Sequence, residues 1–397
     1  MPLPASLERS HLAATNAVNV TTPHPAAGRI GLFLMINTFE TGGSEWQCAL
    51  LAQNASPSKF EVHVGCVNPR GSLASQFPNY ARFPLGGSLF GWTSLRSRFA
   101  LARHLRHTRV QVAHAFDFYT NLTLIPAARL ARVPVVIGSH RQLGDLLTPS
   151  QFRAQAAAFS WCDAVVCNSQ AGAGRLAAAG VPREKLVVIG NAMPAEAFQP
   201  APPALPRPAN ILRVTMVARM NAHYKNHAGF LRIAAEVTKH MPQTEFLLVG
   251  DGPLRAEIEQ QAATLGLRDR VTFLGDRRDI PAVFASTNLA VLTSDSEGLS
   301  NVILEAMAAG VPAIAYAVGG NSELLNADRG ALILAGDETE FATAICRILS
   351  DHSLRREQGR NARRFAEENF SLDRVCRQYE DLYLKLLDRK RRGRPAP

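Results

Sequence analysis

Short apolar runs alternate with stretches of helical period along almost the whole chain. The run "RIGLFLMINTF" (29–39) is followed by "TGGSEWQCALLAQNA", whose apolar positions from Trp46 to Leu51 suit a helix. A buried strand, a Gly-Gly loop and a helix are predicted in that order. The alternation continues through "FEVHVGCV", a helix around 95–107, "VQVAHAF", a helix around 120–131, "VPVVIGSH", a helix around 150–160, "DAVVCNS", "AGAGRLAAAG" and "KLVVIGN". Apolar runs separated by helices predict parallel strands covered on both faces.

Between Asn191 and Asn210 the pattern stops in "NAMPAEAFQPAPPALPRPAN", whose six prolines resist helix and sheet and read as a semi-rigid linker. It then restarts: "ILRVTMVARM", a helix over 226–240, "TEFLLVGDGP", a helix over 253–265, "RVTFLGDR", a helix over 280–286, "LAVLTSDSEG", a helix over 301–309 and "PAIAYAVGG". The fold class predicted is α/β, two doubly wound Rossmann-like domains, with ligands expected beyond the carboxyl ends of the strands. The expected divisions are a disordered leader (1–28), a first domain (29–195), a linker (196–210), a second domain (211–370), a last helix (371–387) and a basic tail (388–397), the tail too polar to fold alone.

Composition narrows the class. The 397 residues exceed the usual limit of one hydrophobic core, and 47% hydrophobic with 19% charged residues is ordinary for a globular protein. Six scattered cysteines without CxxC spacing suggest neither a zinc site nor a disulfide framework. The N-terminus lacks a signal-peptide pattern and no run of apolar residues is long enough for a membrane span, so a cytoplasmic protein is expected. A net charge of +10 attracts anions without choosing among them.

Candidate chemistry gathers at the strand ends. In "SDSEGLSNVILEAMAAGVP" (294–312), Glu297 falls on a loop and Glu305 about one turn into a helix capped by Ser300. Ionised carboxylates accept several hydrogen bonds and suit hydroxyls of sugar or ribose. The backbone N–H groups of Gly298 to Asn301 open the helix, where an anion is favoured. Arg219 ends a strand and Lys225 lies six residues on, a pair suited to clamping a diphosphate opposite Gly42-Gly43, where a backbone can approach an anion closely. "DSE" at 295–297 is no Asp-x-Asp motif, so the basic pair is expected to neutralise charge without metal or other cofactor.

"RM…K", "VGDGP" and "VTFLGDRRDIPAVFASTNLAVLTSDSEGLSNVILEAMAAGVPAIAYAVGGNSELL" together resemble the retaining, nucleotide-sugar-dependent glycosyltransferases of family 4, densely from about 211 to 325 and more loosely from 29 to 195. The resemblance implies a GT-B fold, with the domains facing a cleft and the last helix crossing back to the first. It implies that Glu297 contacts donor-sugar hydroxyls, Glu305 the ribose, Arg219 and Lys225 the diphosphate, and Gly42-Gly43 and Gly250 the phosphate-side loops. Leu299, Ser300 and Asn301 would donate backbone amides beside Gly298, and Arg277 would lie near the base. Transfer with retention from a nucleotide-sugar, UDP by family frequency, to a glycan or lipid-linked acceptor in polysaccharide or cell-envelope synthesis is the activity implied. Many members carry His-x-His where this chain reads "VAHAFDFYT"; His114 matches the first position but Phe116 replaces the second, so the family's catalytic histidine role is carried over to His114 on half of the motif, with Asp117 and His140 as further contributors.

Two other classes share the architecture: a nucleotide-sugar epimerase, and a non-catalytic nucleotide- or glycan-binding protein. Nucleic-acid binding would rest on the basic tail alone, which lacks interleaved aromatics. In "LRSRFALARHLRHTR" (95–109), Leu95, Phe99, Ala102 and Leu105 share a helical face expected to point to the core, with arginines on the rest. With the basic tail, it also suits peripheral contact with the anionic inner face of a membrane.

Overall fold

The computed structural model describes residues 28–40, 42–89, 91–206 and 210–393; the leader, part of the linker and the last four residues lie outside them. The first half alternates as read: β1 (Ile30–Thr38), α1 (Gly43–Asn54), β2 (Phe60–Asn68), β3 (Ala81–Arg82), α2 (Trp92–His107), β4 (Val112–Ala115), α3 (Phe118–Leu130), β5 (Val135–His140), α4 (Pro149–Phe159), β6 (Ala164–Cys167), α5 (Gln170–Ala178) and β7 (Leu186–Val188). Its strands are parallel in the order β3-β2-β1-β4-β5-β6-β7. One face is covered by α1, the other by α2 to α5.

The second half repeats the plan with β8 (Leu212–Val217), α6 (His227–His240), β9 (Thr244–Val249), α7 (Arg255–Thr264), β10 (Val271–Gly275), α8 (Ile280–Ala285), β11 (Leu289–Leu292), α9 (Asn301–Ala308), β12 (Ala313–Tyr316), α10 (Asn321–Leu324), β13 (Gly330–Ile333), α11 (Glu338–Ser350) and α12 (His352–Phe370). Its sheet order is β10-β9-β8-β11-β12-β13. Both orders reverse beside the first strand of the half, so each sheet opens a crevice at its carboxyl end.

The chain crosses between the halves twice, side by side. Met193 N–H donates to Phe370 O at 2.7 Å, and Leu372 N–H to Met193 O at 2.9 Å. From there α13 (Leu372–Arg392) returns to the first sheet and buries Val375, Tyr379, Tyr383 and Leu387 beside α1.

Two expectations need correction. The basic tail does not begin at 388, because α13 continues to Arg392. Cations suit a helix C-terminus, and Lys390 Nζ is 2.6 Å from Asp163 Oδ1. Leu95 and Phe99 do not point to the core; α2 buries Ser94, Ser97, Leu101, Ala102 and Leu105 instead. Burial of the two serines is tolerated because Ser94 Oγ donates to Leu89 O at 2.9 Å and Ser97 Oγ to Pro84 O at 2.5 Å.

Candidate functional site

The loop between β1 and α1 meets the loop before α9 across the cleft. Gly42 caps α1 in extended conformation, and a Cβ on Gly43 would lie 3.0 Å from Asn301 Nδ2. On the other side Ser300 Oγ accepts from Ile303 N–H at 3.3 Å, which starts α9 and leaves its first amides directed at the cleft. Any side chain at Gly298 would strike Arg141 O, which an added Cβ would approach to 2.5 Å. These contacts hold two backbone segments from different domains nearly in touch.

Lys225 and Glu297 meet directly, Nζ to Oε1 at 2.7 Å, both side chains mostly buried. Their loops are joined by Asp295 N–H donating to Tyr224 O at 2.8 Å and by Thr293 Oγ1 donating to Asn226 O at 3.0 Å. Asn226 adopts a left-handed conformation (φ 54°) and caps α6 through Gly229 N–H. That turn sets Lys225 towards Glu297.

Arg219 stands at the end of β8, its Nη1 3.9 Å from Glu40 Oε2 in the first domain, while Glu40 Oε1 lies 3.1 Å from Arg70 Nε. Gly250 (φ 127°) packs against the same strand end, where an added Cβ would come within 2.2 Å of Ala218 O. Met220 N–H donates to Asp251 O at 2.9 Å. The Gly-Asp-Gly turn therefore fixes the backbone that carries Arg219. A cavity of about 400 Å³ lies between Glu40, Gly71 and Ser72 of the first domain and Arg219, Asp251 and Asp276 of the second.

The Glu305 side chain has no hydrogen-bond or ion-pair partner among the described residues, and burial pushes its carboxyl up to about 7. An unpartnered carboxyl on the first turns of a helix is poised to accept from an incoming ligand. Leu299 is buried and its carbonyl is occupied within the protein, accepting from Asn191 Nδ2. Arg277 is held by Asp279, Nη2 to Oδ2 at 2.6 Å and Nε to Oδ1 at 2.8 Å, beside the Asp276 that lines the cavity.

His114 packs in the core of the first domain, against α13. It is fully buried, with Nδ1 2.8 Å from Tyr383 Oη and Nε2 2.8 Å from Ser139 Oγ, and burial holds it down at about 3. Both ring nitrogens are occupied, so the imidazole anchors α13 to the first sheet. Asp117 caps α3, accepting from Thr120 N–H at 3.0 Å and Asn37 N–H at 2.9 Å, and burial pushes it up to about 7. His140 is likewise buried, Nδ1 3.0 Å from Gln155 Nε2.

Three further groups at the site lie outside the candidate residues read from the sequence. Asn191, in the segment read as linker, donates from Nδ2 to Leu299 O at 2.9 Å and to Asn301 Oδ1 at 2.6 Å, and accepts from Arg141 Nη2 at 2.6 Å. It ties both domains to the start of α9. Gly319, in "AVGG", has φ 52° and would bring a Cβ within 1.8 Å of Glu297 O, while Gly320 N–H donates to Gly298 O at 2.6 Å. A Gly-Gly pair at a strand end was the available clue. Glu45, in the first turn of α1, has its carboxyl raised by burial, against the opposing pull of its own backbone N–H, of Thr38 and of the Arg219 charge, so it lies within reach of that guanidinium's field.

Comparison with known proteins gives these loops a family. Residues 41–197 match Glycosyltransferase Family 4 and residues 212–351 match Glycosyl transferases group 1. The chain is 37% identical over 167 residues to N-acetyl-alpha-D-glucosaminyl L-malate synthase of Bacillus anthracis, a match covering 42% of each chain. It is 27% identical over 320 residues to UDP-Gal:alpha-D-GlcNAc-diphosphoundecaprenol alpha-1,3-galactosyltransferase of Escherichia coli, covering 75% of this chain and 81% of that one. Among solved structures, Anabaena Alr3699/HepE in complex with UDP superposes with a TM-score of 0.77 at 23% identity, covering 90% of this chain and all of that one, which shows the fold as GT-B. With both halves matched and the two domains disposed in this way, the chain belongs to the family 4, group 1 glycosyltransferases.

Proposed function

We propose that the protein transfers a sugar from a nucleotide-sugar, a UDP-sugar first, to a glycan or lipid-linked acceptor in cell-envelope or polysaccharide synthesis, with retention at the anomeric carbon. The observation that carries this reading is the meeting of Gly43, the start of α9, Lys225 and Glu297 at one cleft. Lys225 has further N–H donors beyond the one on Glu297, so it can hold a sugar-binding carboxylate and a diphosphate oxygen together. Arg219 and the α9 amides complete the anion site, and stabilise the diphosphate as its bond to the sugar breaks. Glu297 Oε2 is left for donor-sugar hydroxyls and Glu305 for ribose hydroxyls. On the retaining reading, the acceptor oxygen forms the new bond from the face the diphosphate leaves, and its proton passes to a diphosphate oxygen.

UDP is favoured because a relative is named for UDP-Gal and a structural neighbour was solved with UDP. No metal is assigned a part; Arg219 and Lys225 carry the charge. A lipid-linked acceptor would bring the protein to the inner face of a membrane. The test is a panel of UDP-, GDP- and ADP-sugars with the protein alone in chelator, followed by mass spectrometry. Slow release of one nucleoside diphosphate is expected. Conversion to an isomeric nucleotide-sugar would replace the reading by epimerisation, and binding without turnover, acceptors included, by a non-catalytic protein.

A further inference from the structure

Seven of the eight large hydrophobic side chains exposed among the described residues lie between residues 92 and 161, the eighth being Leu334. Trp92 is 72% exposed, Phe99 57% and Leu95 42%. They project from α2, whose positions 92, 96, 99, 103 and 106 form one stripe at helical spacing: Trp92, Arg96, Phe99, Arg103 and Arg106.

The neighbouring helix extends the patch. Arg98 donates from Nε and Nη2 to Leu122 O at 3.2 and 3.1 Å, and Arg106 Nη2 donates to Leu130 O, both pairs separated by 24 residues. That repeated offset means that α2 and α3 run parallel and in register, which sets exposed Tyr119 level with Leu95. Helices that join parallel strands start at the carboxyl end of the sheet, so Trp92, Leu95, Phe99 and Tyr119 gather towards the cleft and Arg103 and Arg106 lie further from it.

Charge is equally one-sided. The only carboxylate from residue 92 to residue 144 is Asp117, and it is turned into the fold by its bonds to Thr120 and Asn37. We infer that the exposed face of α2 and α3 docks on an anionic phospholipid bilayer, with α2 lying in the membrane plane, its aromatic end inserted among headgroups beside the cleft and its arginines on lipid phosphates. Tryptophan and tyrosine suit the headgroup level, and arginines let their apolar stems follow the surface. A second copy of the chain fits less well, since two-fold pairing would oppose arginine to arginine. Single-stranded nucleic acid fits less well too, because the aromatics cluster at one end apart from Arg103 and Arg106. This deepens the proposed function by naming the surface from which a lipid-linked acceptor is taken, and rests on it for that purpose alone.

The experiment is flotation of the full chain with phosphatidylglycerol/phosphatidylethanolamine vesicles and with phosphatidylcholine vesicles, for wild type, Trp92→Ser/Phe99→Ser and Arg96→Glu/Arg103→Glu. The substituted side chains are exposed, and thermal melting checks that the fold is kept. Wild type should float with the anionic vesicles, and each double variant should bind at least about tenfold less, given the contribution of each cation near such a surface. Wild type left at the bottom of the gradient, equal flotation on phosphatidylcholine, or variants that float like wild type would each overturn the inference. So would loss of self-association or of RNA retention in the variants without any flotation. Release of nucleoside diphosphate, measured in parallel without and with acceptors, separates the two claims: flotation without release in either case retains the docking face and removes the proposed function.

Discussion

Glu305 is the residue whose chemistry depends most on its surroundings. Its carboxyl sits near 7 because burial penalises the charge and no described partner offsets that penalty. If the ionised form receives the ribose hydroxyls, donor binding must release the proton, so affinity falls as pH drops through the pKa. The dissociation constant of an intact UDP-sugar, read by titration calorimetry, should rise about tenfold between about pH 8 and about pH 6, and Glu305→Gln should bind more weakly with that dependence removed. Asn191 acts by position rather than by contact with donor. Asn191→Ala strips Leu299 O, Asn301 and Arg141 of a shared buried partner, an effect of about 1–3 kcal/mol per group left unsatisfied. A loss of at least about tenfold in kcat/KM is expected in steady-state assays. The two glutamates and the Arg219/Lys225 pair stood out in the sequence because a carboxylate in an apolar segment and cations at a strand end are locally unusual. Asn191 did not, because its importance comes from groups 50 and 110 residues away.

At the scale of elements, glycine placement explains how the site loop is held. Gly319 needs both its positive φ and its missing side chain to lie against Glu297 O. Gly319→Ala should displace the Glu297 loop and lower turnover more than about tenfold with circular dichroism unchanged, since the strain is confined to one turn. The α13 contact gives an opposite kind of prediction. Tyr383→Phe leaves His114 Nδ1 buried without its partner and should cost about 1–3 kcal/mol in denaturant unfolding, while kcat at low temperature stays as in wild type. A fall in kcat would instead mark His114 as part of the chemistry. With a folded pKa of about 3 against about 6.5 unfolded, His114 contributes stability above about pH 6.5 that is lost as pH falls towards 3. Strands and helices were legible because their apolar periods are strong. The orientation of α2 was not, because its buried serines are satisfied by carbonyls at Leu89 and Pro84 that no helical pattern reveals.

The whole molecule is two sheets joined by two adjacent crossings, at Met193 and at Ser371. Lys59 and Lys390 tie α13 to the first half through Glu380 and Asp163. The linker and the family resemblance pointed to two domains with a return helix; which surfaces meet across the cleft required the three-dimensional register. The central claim is that the meeting of Arg219, Lys225, Glu297 and the start of α9 forms the donor site of a transferase. It is tested most directly by the rate of nucleoside diphosphate release from the donor found in the panel, measured for wild type beside Arg219→Ala and Lys225→Ala. The account predicts turnover by wild type and a loss of more than about tenfold in each variant, equivalent to over about 1.4 kcal/mol of transition-state stabilisation from each cation. Equal rates in all three proteins would contradict it.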